Sequence, residues 1–234
     1  IPKSISLRIS CISWTLQQRR SLSMVDTENK IMHDNNCVTI FDNVMTERNW
    51  LQIEQEFDDY EKTQAWLLHT FQEVDEMHYE KTMSGFGAGH CVSTQVSSEV
   101  KDLLTEILAD VIPKRSGGFI ANYFYNYPYS QLNPHSHLGT GKFDKTSIET
   151  RPWFATLYLM REWHAEWGGL FLWRPSTFKK DEWAAITPHG NKLVMGTNLP
   201  PVQHMMSMIS PFARVKRRSI QINGQYSKYG SVNI

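Results

Sequence analysis

From residue 119 onward the pattern is one of short strand-length runs and turns, with no internal repeat. The runs cover 119–125, 155–159, 170–173, 192–196, 204–209 and 217–222, and a turn-like segment at 126–134 and a turn around 163–169 separate some of them. Several short strands spaced this way predict a β-sandwich or barrel. An aromatic share of 12%, with eight tryptophans, fits that pleated surface.

Upstream of 119 the period changes to that of helices. A short strand over 37–41 and a turn at Asp42-Asn43 lead to Thr46, the expected N-cap of a helix that places Trp50, Ile53 and Phe57 on one face. A second helix is expected over 62–71. A third, capped by Ser98 and ended by Pro113, carries Val100, Leu103, Leu104, Ile107, Leu108 and Val111 as one apolar stripe. Such helices are expected to cover one sheet of the barrel. Gly85, Gly87 and Gly89 mark a loop with neither a strand before it nor a helix after it, so they do not make a nucleotide site.

Residues 1–23 contain Lys3, Arg8, Arg19 and Arg20 and no acidic residue. They read as an organellar transit peptide or as a segment upstream of a start at Met24. The expected organisation is a leader at 1–23, a helical buttress with the first strands at 24–118, and the barrel at 119–234.

With 24 basic and 24 acidic residues the formal net charge is zero, so neither nucleic acid nor an anionic membrane is indicated as a partner. No apolar run approaches the roughly 20 residues of a membrane span. Cys11, Cys37 and Cys91 are scattered and form no Cys-x-x-Cys pair, which argues for a reducing compartment, against a disulfide framework and against a zinc knuckle. The expected location is the cytoplasm, or the mitochondrion if 1–23 is a transit peptide.

The chemistry concentrates on three histidines. His135 and His137 stand two apart, so on a strand they share a face, and His204 on another strand can complete a facial set. Neutral imidazoles are good ferrous ligands, and three protein ligands leave coordination positions open. In the last basic strand Arg217, Ser219 and Gln221 share one face while Arg218, Ile220 and Ile222 share the other. That alternation favours Arg217 inside and leaves Arg218 as the alternative. His33, His69, His78, His90 and His164 have no ligand spacing, and His189 sits in a Pro-His-Gly-Asn turn expected at the surface.

An ordered set of motifs adds a resemblance. Leu132-Asn133-Pro134-His135-Ser136-His137 is followed by Arg151, Tyr158-Leu159, Trp163 and Gly168-Gly169-Leu170-Phe171-Leu172-Trp173. Asn191-Lys192-Leu193-Val194, His204 and Arg217-Arg218-Ser219 complete the set. This half of the chain resembles the 2-oxoglutarate/Fe(II)-dependent dioxygenases of the prolyl hydroxylase type. The resemblance implies a mainly β fold with flanking helices, a double-stranded β-helix or jelly-roll barrel. It implies an enzyme that uses O2, Fe(II) and 2-oxoglutarate to hydroxylate an unactivated C–H bond of a small-molecule or amino-acid-like substrate. His135 and His204 resemble the proximal and distal iron ligands. Arg217, or Arg218, with Ser219 resembles the site that clasps the far carboxylate of 2-oxoglutarate, and Tyr125 and Tyr158 match tyrosines that bind the same co-substrate.

One position departs from the family. Where a carboxylate follows the proximal histidine by two, this chain has His137. Either His135, His137 and His204 form an all-imidazole face, or the register slips and His137-Leu138-Gly139 is the motif. The second reading resembles the 2-oxoglutarate-dependent halogenases, in which the residue matching Gly139 leaves room for chloride on iron. A non-catalytic barrel that only binds is a further alternative. A zinc hydrolase would leave the Arg-x-Ser strand unexplained. Residues 142–150 are a lid candidate, and Arg151 is a candidate for an anionic substrate group.

Overall fold

The structure, a computed structural model, describes residues 31–34, 38–63, 66–70, 87–88, 90–109, 111, 116–135, 153–174, 182–197 and 203–226. Residues 1–23, Gly85, Gly89, Pro113, His137, Gly139, 142–150 and Arg151 lie outside them, and with them the expectations placed there.

The strands are β1 (Ile31–Asp34), β2 (Val38–Asp42), β3 (Leu67–Thr70), β4 (Gly87–Ala88), β5 (His90–Gln95), β6 (Ser116–Asn126), β7 (Gln131–His135), β8 (Trp153–Tyr158), β9 (Phe171–Arg174), β10 (Ala184–Ile186), β11 (Lys192–Thr197), β12 (Gln203–Met206) and β13 (Arg217–Tyr226). Two helices, α1 (Glu47–Thr63) and α2 (Ser98–Leu108), and a 3-10 turn at Ala165–Trp167 complete the described elements. The strands form an eight-stranded sheet, ordered β1-β2-β11-β8-β13-β6-β5-β3, and a five-stranded sheet, β10-β9-β12-β7-β4.

Every strand pairing is antiparallel. β2 and β5, from the N-terminal half, pair directly with β11 and β6. The first strands therefore belong to the same sheet as the barrel strands.

Alternation along the strands sorts the two faces of the large sheet. Ala155, Leu157, Ile220, Ile222, Ala121 and Tyr123 pack with Trp50, Ile53 and Phe57 of α1 and Val100, Leu104 and Leu108 of α2. Each fully buried aliphatic or aromatic side chain there contributes about 1.5–3 kcal/mol. The residues between them turn to the other side. Val38, Ile40, Phe154, Tyr158 and Val194 meet Phe171, Trp173 and Met206 of the small sheet in a second core. That second core is the barrel interior.

α1 begins as expected, with the Thr46 Oγ1 accepting from the Asn49 amide at 3.2 Å. The cap of α2 is Ser97, one residue before the expected Ser98: its hydroxyl accepts from the Val100 amide at 3.1 Å and donates to Glu56, which locks α2 to α1. The helix expected over 62–71 does not form. α1 ends at Thr63, and 67–70 are strand β3, paired with β5. Leu67 and Leu68 are both exposed, so no buried helical stripe competes with edge pairing. The expected turn at 126–134 is shorter, because β7 already starts at Gln131.

Candidate active site

His204 is buried and faces the interior, its ring 4.7 Å from that of Phe154 and 5.8 Å from that of Phe171. β12 runs antiparallel to β7 with His204 directly opposite His135 in the register. Positions so paired share a sheet face with Cβ atoms about 4.5–5.5 Å apart. The distal histidine and the first of the close pair are thus brought together by backbone pairing.

Arg217 opens β13 and is only 4% exposed. Its Nε donates to the Gly169 carbonyl at 3.0 Å and one Nη to the Asn126 Oδ1 at 2.9 Å. The guanidinium carbon lies 5.2 Å from the centre of the Tyr158 ring. No carboxylate pairs with it among the described residues, and the bonds to Gly169 and Asn126 leave N–H groups of its fork to spare. Burial holds the Arg217 pKa below its ordinary value, with Tyr158 and Cys91 opposing. Burial likewise raises the Tyr158 pKa, and the nearby Arg217 charge opposes that shift.

The Ser219 Oγ is buried and without a hydrogen-bond partner among the described residues, and the Tyr158 hydroxyl, also buried, has the Arg217 guanidinium as its polar neighbour. Tyr158 and Ser219 stand opposite each other on β8 and β13. A buried cation without a carboxylate counter-ion among the described residues, beside a buried tyrosine and an unused serine hydroxyl, is an energetically open position. A carboxylate fits it.

Gly168 and Gly169 are placed by need. Both have positive φ, +66° and +60°, which a side chain disfavours. A Cβ on Gly169 would lie 2.9 Å from the Arg217 Cδ, and one on Gly168 would lie 1.9 Å from the Met208 carbonyl oxygen. The preceding Trp163 braces this turn by donating its indole N–H to the Gly168 carbonyl at 2.9 Å.

Two expected co-substrate residues face away. Arg218 points to α1, pairing with Asp58 at 2.7 Å and Glu61 at 2.8 Å and lying over the Phe57 ring. Tyr125 is on the same outer face, 4.6 Å from the Tyr127 ring and under the Lys216 ammonium. Strand alternation separates Arg217 from Arg218 and Tyr158 from Tyr125, and it corrects both expectations. His189 is exposed, as expected. His164 is exposed and bonded to Glu162 at 2.7 Å. It lines a surface cleft of about 580 Å3 with Trp167, Phe212 and Arg214, which holds none of the interior residues above.

Two further residues join the Arg217 end of this site, Asn126 and Cys91. They face each other on β6 and β5, in line with Arg217. Burial pushes the Cys91 thiol up to about 12, with Arg217 opposing. The signal for Asn126 was available, since it shares a strand face with Asn122 and Phe124 and differs in face from Tyr123 and Tyr125.

At the level of sequence, no protein-family model and no curated protein matches the chain. Solved structures do. A prolyl-4-hydroxylase from Pseudomonas putida matches with a TM-score of 0.59 at 10% identity, over 81% of this chain and 92% of that one. A prolyl hydroxylase from Trichoplax adhaerens, solved in complex with a hypoxia inducible factor oxygen degradation domain peptide, matches with a TM-score of 0.61 at 12% identity over 82% and 84%. An oxidoreductase of the 2OG-Fe(II) oxygenase family from Burkholderia pseudomallei matches with a TM-score of 0.50 at 8% identity over 81% and 85%. The fold is therefore the jelly-roll barrel of the 2-oxoglutarate/Fe(II) oxygenases.

Proposed function

We propose that this chain is a 2-oxoglutarate- and Fe(II)-dependent oxygenase that hydroxylates a C–H bond of a small-molecule or amino-acid-like substrate. The observation that carries this reading is the buried Arg217 guanidinium, without a carboxylate partner among the described residues and facing the same interior as His204. His204 and His135, with His137 as the third candidate, would hold the iron. When bound, the iron and keto acid together supply the oxidising chemistry.

The chain's own residues do the rest. Arg217 binds a carboxylate through its remaining N–H groups, and a bidentate pair fixes orientation as well as affinity. The Tyr158 and Ser219 hydroxyls donate to the same anion. Gly169 and Asn126 hold the guanidinium in place before any ligand arrives, so little ordering is left to be done on binding. Phe154, Phe171 and Trp173 keep the histidine end apolar and exclude water there.

The halogenase reading turns on Gly139, which lies outside the described residues. Anaerobic mixing with Fe(II) and 2-oxoglutarate tests the proposal. The expected result is the weak visible charge-transfer band of a keto acid on ferrous iron, lost in His204→Ala and in Arg217→Met. Absence of the band, with no 2-oxoglutarate binding by calorimetry, would leave a binding module instead. A chloride-dependent shift of the band would favour halogenation.

A further inference from the structure

Five of the eight large apolar side chains left exposed among the described residues stand on two loops at one end of the barrel. They are Tyr127 and Tyr129, between β6 and β7, and Met208, Phe212 and Val215, between β12 and β13. The backbone ties these loops together: the Tyr129 amide donates to the Ile209 carbonyl at 2.9 Å and the Ile209 amide to the Ser130 carbonyl at 3.0 Å. The loop between β8 and β9 joins them, its Trp167 carbonyl accepting from the Ser210 amide at 2.8 Å. All three loops close the end at which β13 starts with Arg217. His135 and His204 lie toward the opposite ends of β7 and β12.

Single exposed apolar side chains need no partner, but a contiguous patch of them marks an interaction surface. Phe212 is 82% exposed and is held at the tip of a turn. Its amide donates to the Ser210 Oγ at 3.1 Å, and the Ala213 amide donates to the Ser210 carbonyl at 3.2 Å. Beside this fixed projection opens the cleft of about 580 Å3, lined also by Trp167, Glu166 and Arg214. The patch therefore carries both a knob and a hollow.

Its charges are mixed and left apart. Arg214 makes no ion pair among the described residues, and Glu166 reaches only His164, at 3.9 Å. A basic segment in the cleft would suit Glu166 and confront Arg214, and an acidic segment or an anionic lipid surface would do the reverse. A second copy of the chain answers both charges, because across a two-fold axis every contact occurs twice with the roles exchanged.

We propose that the Arg217 end of the barrel is a homodimer interface, in which Phe212 of each copy enters the cleft of the other and Arg214 of each copy pairs with Glu166 of the other. The histidine end of both barrels stays free, and the interface does not depend on what the interior site binds.

Analytical ultracentrifugation of the full chain tests this at about 100 μM, above the dissociation constants usual for a specific interface. The wild type is expected to sediment at twice the chain mass. Phe212→Ser is expected to weaken the dimer at least about 30-fold, as loss of a central aromatic anchor does. Its thermal midpoint at monomer concentrations should not change, because so exposed a side chain supports little of the fold. Arg214→Glu and Glu166→Arg each set like charges across the axis and are expected to weaken the dimer at least about tenfold. The double variant exchanges the two charges and should return to within about threefold of the wild type. A monomeric wild type would overturn the proposal and leave the patch to a different protein. A dimer indifferent to Phe212→Ser, or a double variant no tighter than the single ones, would overturn it as well.

Discussion

The Arg217 Nε donates to the carbonyl of Gly169 at 3.0 Å, across 48 residues of chain. One end of that bond lies in the Gly-Gly turn before β9 and the other in the first residue of β13. The two sheets are thus tied together at the guanidinium, which makes the turn part of the candidate anion site.

Substituting Gly169→Ala tests that tie. The new methyl would need φ of +60° and would sit 2.9 Å from the Arg217 Cδ. The expected cost is about 1–3 kcal/mol of stability, read as a lower denaturant midpoint. The displaced guanidinium is also expected to bind 2-oxoglutarate more weakly, even at temperatures where the variant is fully folded. An alanine variant that loses stability but binds normally would show the turn to be structural only.

Arg217 and Arg218 are adjacent in sequence and expected to behave oppositely. Arg217→Met removes a buried charge that has no ionic partner among the described residues but strips the Gly169 carbonyl and Asn126 of their donor, so the two effects oppose and the thermal midpoint should change little. Binding of 2-oxoglutarate should fall at least about 30-fold, the usual loss when one partner of a buried charge pair is truncated. Arg218→Ala breaks the links to Asp58 and Glu61 and uncovers Phe57. It should cost about 1 kcal/mol and leave binding unchanged. Paired melting curves and titrations on the two variants check this.

The same pair shows what could be read from the sequence. Alternation along 217–222 already placed Arg217, Ser219 and Gln221 together, because a strand period of two needs only a direction for its apolar face. His204 and the 135/137 pair could be grouped by type and spacing, and the register opposes His204 and His135. Tyr125 and Tyr158 could not be told apart, since an aromatic side chain suits either face of a two-sided sheet. Leu67 and Leu68 continued a helical pattern that edge pairing with β5 overrides. β5 itself, His-Cys-Val-Ser-Thr-Gln, is too polar to announce a strand. The Arg217–Asn126–Cys91 line depends on pairing between strands far apart in sequence, which no local pattern encodes.

Asn191 gives a third expectation. It has φ of +59°, and its side chain clasps the backbone of Met45 through both Oδ1, at 2.7 Å, and Nδ2, at 2.9 Å. Its amide also donates to the Tyr158 carbonyl at 3.0 Å. Asn191→Gly keeps the backbone conformation and loses only the clasp, for about 1–2 kcal/mol. Asn191→Ala loses the clasp and strains the backbone as well, so it should be the less stable of the two by about 1 kcal/mol. Chemical denaturation should rank them wild type, glycine, alanine. The reverse order of the two variants would mean that the left-handed conformation is not what selects this residue.

Cys91 predicts an alkaline limit to stability. Its folded pKa, near 12, lies well above that of an exposed thiol, about 8.5. Below the unfolded value both states hold the proton, and the contribution is complete. Above it the unfolded chain releases the proton while the folded chain keeps it, so stability falls by about 1.4 kcal/mol per pH unit until the folded thiol itself ionises. Tyr123 and Tyr158, also raised by burial, add to the fall only above about pH 10, where an unfolded tyrosine ionises. The window from pH 8.5 to 10 therefore belongs to the thiol among these three groups. Urea midpoints measured across it should decline in the wild type and much less in Cys91→Ala, whose overall stability will be lower because a buried side chain is truncated. Equal slopes in the two proteins would place the Cys91 thiol in contact with water and remove it from the buried line with Asn126 and Arg217.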